Sequence, residues 1–121
     1  MTLGSPGTFM SIRTQVLLWT AQRISAAVLA LCVVVHLVTM IYAVRHGLSA
    51  AEILGRTRGN YAWLAFYALF VAAVAIHAPI GLRTILAETF DRRGIAPDLT
   101  ALAIGVALAL WGWRAVFAVF A

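Results

Sequence analysis

The sequence has little with which to carry conventional enzyme chemistry. It holds a single cysteine, Cys32, in the middle of an apolar run. Neither a disulfide framework nor a thiolate metal cluster can form within the chain, and Cys32 reads as a small core residue. Acidic residues number four, Glu52, Glu88, Asp91 and Asp98, all near run boundaries or in loops. Intramembrane carboxylates mark ion paths, so their scarcity argues against a transporter or channel subunit, as does the lack of an internal repeat. There is no triad arrangement, no phosphate loop and no zinc-ligand spacing. No cleavable signal peptide is expected, because the first apolar run is too long and Arg23 stands near its start.

Charge is also scarce. Only 11% of the 121 residues are charged and 64% are hydrophobic, against roughly a quarter charged in a soluble domain. A soluble fold of this length would lack residues for its polar shell, so the bilayer is the natural solvent. Lysine is absent: every basic residue is arginine, and the net charge is +5. The arginines stand at the edges of apolar runs rather than in a patch. That placement suits headgroup contact and disfavours nucleic acid.

What remains is three long apolar runs in a single domain spanning 1–121. After a Gly/Pro/Ser-rich leader over 1–14, the uncharged run 24–44 covers ~30 Å at ~1.5 Å per residue, one hydrocarbon thickness. Its helix is expected over about 15–44, ended by Arg45-His46-Gly47. In the connector, Ser49 and Glu52 fit a capping box and Gly55 a helix-terminating position, giving a short interfacial helix over about 50–54. A second helix is expected over about 61–90, with Tyr61, Trp63 and Tyr67 as an interface belt and Pro79 bending or loosening it. The loop 91–97 carries turn signals, and Asp98 caps a third helix over about 98–120. There Ala101, Gly105 and Ala109 form a small-residue stripe suited to close helix packing. The expected fold is an all-α membrane protein with three transmembrane helices in an up-down-up bundle. Arg13, Arg23, Arg83, Arg92 and Arg93 on one side, against Arg45, Arg56, Arg58 and Arg114, place the N-terminus on the cytoplasmic side by a narrow margin.

Three polar features need explaining, because polar burial in hydrocarbon is costly. His77 lies between Ala73 and Gly81, one turn away on each side. Small neighbours leave room for a flat ring, and neutral imidazole ligates haem iron; the alternative is a histidine bonded to a neighbouring helix. Gln22, Ser25, Leu29, Cys32, His36, Thr39 and Ala43 share one face of the first helix and point into a bundle. Most of them read as packing, and His36 also as a candidate ligand. Arg23 and Arg83 lie at the same membrane side, where they either bind acidic groups or anchor to headgroups. Counted from those arginines, the two histidines differ in depth by ~10 Å. They therefore do not ligate one haem together: a single haem needs its second ligand from another subunit, and His36 belongs, if anywhere, to a distal haem.

Gln22-Arg23-Ile24-Ser25 resembles the His-Arg-x-Ser-Gly opening of the cytochrome b membrane-anchor subunit of succinate dehydrogenase and fumarate reductase. His77-x-x-x-Gly81-Leu82-Arg83-x-x-x-x-Glu88 resembles that family's His-x-x-x-Gly-Ile-Arg-x-x-x-x-Asp. The resemblance covers nearly the whole chain. It implies a subunit that packs with a second small membrane anchor, and that together with it holds an iron–sulfur subunit and a flavoprotein subunit. Succinate is oxidised in the flavoprotein, and electrons pass to ubiquinone or menaquinone in respiratory electron transfer. It implies haem b with His77 as axial ligand, Arg23 and Arg83 at haem propionates or the quinone site, and Ser25 at the quinone site. His36 stands where two-haem members hold a distal haem. The implied location is the bacterial inner membrane. The chain departs from the pattern at Gln22 for histidine, Trp19 for a serine one turn earlier, Ala26 for glycine and Glu88 for aspartate. A haem-free structural anchor or assembly subunit is the first alternative, and a small transporter or channel subunit the second.

Overall fold

The computed structural model describes residues 11–89 and 95–121. Four helices follow one another: α1 (Ile12–Arg45), α2 (Ala50–Thr57), α3 (Tyr61–Thr89) and α4 (Ile95–Phe120). Three of them, α1, α3 and α4, are long and apolar enough to cross a membrane. The architecture is the expected all-α one, with antiparallel neighbours joined by short connections.

Local chemistry sets the boundaries. Ser11 caps α1 by accepting from the Thr14 amide at 3.2 Å, so the helix starts before the expected Gln15. It ends where His46 closes back on the Tyr42 carbonyl and Gly47 takes φ 61°, a left-handed conformation that glycine adopts without steric cost. The capping box of α2 is present in both halves, the Ser49 hydroxyl accepting from the Glu52 amide and the Glu52 carboxylate from the Ser49 amide. Gly55 does not end this helix. α2 continues to Thr57, whose hydroxyl donates to the Val119 carbonyl of α4 at 2.8 Å. The left-handed residue is Gly59, whose amide donates to the Phe120 carbonyl at 2.9 Å. Tying the connector to the end of α4 holds the extra turn in place. Asn60 then caps α3, its side-chain oxygen accepting from the Ala62 and Trp63 amides. At its far end α4 starts at Ile95, ahead of the expected Asp98. Pro97 thus falls in a first turn, where its missing N–H leaves no bond unmade. The leader residues 1–10 and most of the 91–97 turn lie outside the described residues.

α3 is the central packing element and runs along both α1 and α4. Against α4 the contact is close. A β-carbon on Gly105 would stand 2.7 Å from Pro79 Cγ, and one on Gly112 would stand 2.6 Å from Val71 Cγ1. Pro79 lies inside an unbroken α3 and fills the notch at Gly105. The small-residue stripe therefore works as read: Ala101 is buried, and Gly105 admits a rigid ring. Against α1, the seven-residue stripe from Gln22 to Ala43 is buried or half-buried throughout, with Ser25 and Cys32 the most enclosed. Most large apolar side chains of α1 and α4 face outward, among them Leu31, Val34, Leu102, Leu110 and Phe117. In lipid, helices associate through small residues that permit close approach, since burying leucine gains little there.

Candidate functional site

The α1–α3 seam fixes the relative depth of every candidate residue. At one end, Gln22 of α1 reaches Gly81 of α3, its amide nitrogen 3.2 Å from the position a Gly81 β-carbon would take. Further along, His36 of α1 meets Tyr67 and Phe70 of α3 edge-on, with ring centroids 5.9 and 5.7 Å apart. His77 sits one turn inside Gly81. His36 is level with residues ~10–15 Å further along α3. Both histidines thus lie on the same seam at separate depths, the relation expected from counting residues.

Three half-buried side chains on this seam hold a buried polar atom with no hydrogen-bond partner among the described residues: Gln22 Oε1, His36 Nδ1 and His77 Nδ1. Leaving such an atom unpaired in hydrocarbon costs several kcal/mol, on the order of 2–7 for amide-like groups. Other polar groups of α1 satisfy themselves. Ser25 Oγ donates to the Gln22 carbonyl at 3.1 Å, and Thr39 Oγ1 to the His36 carbonyl at 2.7 Å. The unsatisfied amide and imidazoles therefore stand out against a background in which the chain pairs what it can.

The two arginines have separate surroundings. Arg23 is exposed and lies over the Trp19 ring, 5.1 Å from its centroid. Trp19 is the residue that replaces the serine of the resembled pattern, and it gives Arg23 a cation–π platform in its place. Arg83 is ion-paired through Nε with Asp98 of α4. Asp98 thus has a tertiary partner as well as a favourable place in the first turn of α4. Both arginines belong to the end of the seam where His77 lies. Glu88 is exposed in the last turn of α3.

Gln22 and Asp98 emerge here as parts of the site that sequence reasoning assigned to packing and capping. For Gln22 a signal was available: an amide next to Arg23 on the inward stripe. For Asp98 none was, because only the fold brings it to Arg83. Among the described residues no group of three or more His, Cys, Asp or Glu gathers to hold a metal ion. Any metal bound through this seam would rest on one histidine of this chain and donors from elsewhere.

The model of the succinate dehydrogenase/fumarate reductase transmembrane subunit family matches residues 7–112. The chain belongs to that family. The match takes in α1, α2, α3 and most of α4, so the seam just described lies within the matched residues. This transmembrane subunit is an integral membrane protein and a component of a succinate dehydrogenase or fumarate reductase complex. Searches of curated proteins and of solved structures give no match to the chain.

Proposed function

We propose that this transmembrane subunit is a cytochrome b anchor that binds haem b through His77 and helps form the quinone site of a succinate:quinone oxidoreductase. The observation that carries the reading is the buried, unpartnered Nδ1 of His77, flanked by buried Ala73 and by Gly81. An imidazole held inside a membrane span whose Nδ1 has no partner among the described residues fits a role whose partner comes from outside the chain. Haem b, when bound, would supply a one-electron redox centre within the membrane. His77 would hold the iron, and a second anchor subunit would supply a further ligand.

The remaining residues of this chain bind and orient. Arg23 and Arg83 place positive charge at the end of the seam nearest His77, where haem propionates or a quinone headgroup would lie. Asp98 positions the Arg83 guanidinium. Ser25, buried one turn after Gln22, offers its oxygen lone pairs while its hydroxyl donates to the Gln22 carbonyl. In this arrangement the Arg23–Arg83 end faces the cytoplasm of a bacterial cell, and the iron–sulfur and flavoprotein subunits dock there. Succinate chemistry belongs to the flavoprotein, and this chain contributes no catalytic residue.

A haem-free structural anchor is the competing reading. It draws support from Trp19 and Ala26 at altered quinone-pattern positions and from the internal bond of Ser25. Reduced-minus-oxidised optical spectra of the purified complex, with haem measured per flavin, separate the two. The expected result is a b-type spectrum that disappears in His77→Leu while the complex still assembles. A wild-type complex without haem, or a His77→Leu complex with normal haem, overturns the assignment.

A further inference from the structure

A cleft of about 520 Å³ opens at the other end of the bundle, away from His77. Its walls are Val38 and Ala43 of α1, Ile53 of α2, and Trp63 and Tyr67 of α3, and Arg56 is its one charged lining residue. The volume falls within the ~300–1,000 Å³ typical of ligand pockets. Its depth is the headgroup level, marked by Tyr61 and Trp63 at the start of α3 and by the connector helix.

Three polar side chains of the wall, Thr39, Thr57 and Asn60, are already engaged by backbone carbonyls. Thr39 donates to the His36 carbonyl, Thr57 to the Val119 carbonyl, and the Asn60 amide to the Arg56 carbonyl. Apart from the polar edges of Tyr42, Trp63 and Tyr67, the rest of the inner surface is apolar. Arg56 is different: its guanidinium lies over the Tyr42 ring at 5.8 Å, and among the described residues no carboxylate forms an ion pair with it. The nearby Glu52 carboxylate is engaged by the Ser49 amide in the capping box. Arg45 at the end of α1 and Arg58 after α2 are exposed at the same end of the bundle and add to the positive field.

We propose that this cleft is a binding site for an anionic phospholipid, with an acyl chain between α1 and α3 and the phosphate on Arg56. A planar guanidinium with free donors matches a phosphate in charge and in bidentate geometry; a neutral quinone ring offers no anion, and the phosphate of a zwitterionic lipid is offset by its own headgroup cation. The site lies outside the His77 region and does not depend on haem being bound.

The test uses the whole complex, delipidated in detergent and then reloaded with either phosphatidylglycerol or phosphatidylcholine, with retained lipid counted by native mass spectrometry. Wild type is expected to retain phosphatidylglycerol preferentially. Arg56→Gln is expected to lower that retention about fivefold, the effect of one interfacial cation. Arg114→Gln, which removes a charge at the same membrane side but outside the cleft, is expected to leave it unchanged. Equal retention of the two lipids by wild type, or equal losses in the two arginine variants, overturns the proposal. So does a photo-crosslinker placed at Thr39 that joins another protein subunit instead of lipid, because the cleft would then be a subunit contact.

Discussion

The amide nitrogen of Gln22 lies 3.2 Å from where a β-carbon on Gly81 would stand, so the bareness of Gly81 sets how closely α1 approaches α3 beside His77. The partner atom is the far end of a flexible side chain and can move by a few tenths of an ångström. A methyl group at this point is therefore tolerable, and a branched side chain is not.

Gly81→Ala is expected to change stability by under about 1 kcal/mol, since the gain in helix propensity offsets the crowding. Gly81→Val is expected to cost about 1–3 kcal/mol by overpacking. Adding Gln22→Ala should recover part of the valine penalty, because it removes the atom being displaced. Thermal unfolding of the purified complex, arranged as a double-mutant cycle, measures this coupling. A Gly81→Val penalty unaffected by Gln22→Ala would mean that the crowding lies elsewhere.

The α3–α4 contact predicts a graded response. A β-carbon on Gly105 meets the ring of Pro79 at 2.7 Å, and one on Gly112 meets Val71 at 2.6 Å. The proline ring is fixed to the backbone and cannot rotate away. Val71 is stiff in a helix but can be shortened. Both alanine substitutions are expected to destabilise by about 1–3 kcal/mol, Gly105→Ala the more. Val71→Ala should rescue Gly112→Ala, read as the recovered unfolding midpoint of the double variant. Failure of that rescue would show that Gly112 matters for something other than the room it leaves for Val71.

These contacts mark the boundary of what the linear sequence discloses. The three spans, the inward stripe of α1 and the depth difference between His36 and His77 follow from periodicity and the ~1.5 Å rise per residue. The short connector was less legible. Gly55 has the composition of a helix end, but Thr57 and Gly59 bond to the last turn of α4, and those tertiary bonds decide where α2 stops. Arg83 illustrates the same limit at the site. Its charge and depth could be read from the sequence. Its pairing with Asp98 depends on α4 folding back along α3.

That pairing allows the role of Arg83 to be separated from simple helix tethering. The Arg83 and Asp98 side chains are both partly exposed, so the pair should contribute only about 0–1 kcal/mol to stability. Asp98→Asn removes this ion pair but keeps the guanidinium charge, whereas Arg83→Gln removes the charge. If Arg83 serves an anionic cofactor group or a quinone, Arg83→Gln lowers haem content or raises the KM for quinone, and Asp98→Asn changes neither by more than about twofold. Equal effects of the two substitutions on both readouts would reduce Arg83 to the tether between α3 and α4.

The last prediction concerns the two imidazoles, which share the unpartnered Nδ1 but differ in their neighbours. His36 is flanked edge-on by Tyr67 and Phe70, so aromatic side chains of its own chain already occupy its surroundings. His77 has Ala73 and Gly81 one turn to either side, and small residues leave space against the helix for a planar group. His77→Leu is therefore expected to abolish the b-type spectrum. His36→Leu should preserve it, with one haem per flavin before and after the change and a modest loss of thermal stability. Two haems per flavin in wild type, falling to one in His36→Leu, would move His36 from the packing seam to a second haem site.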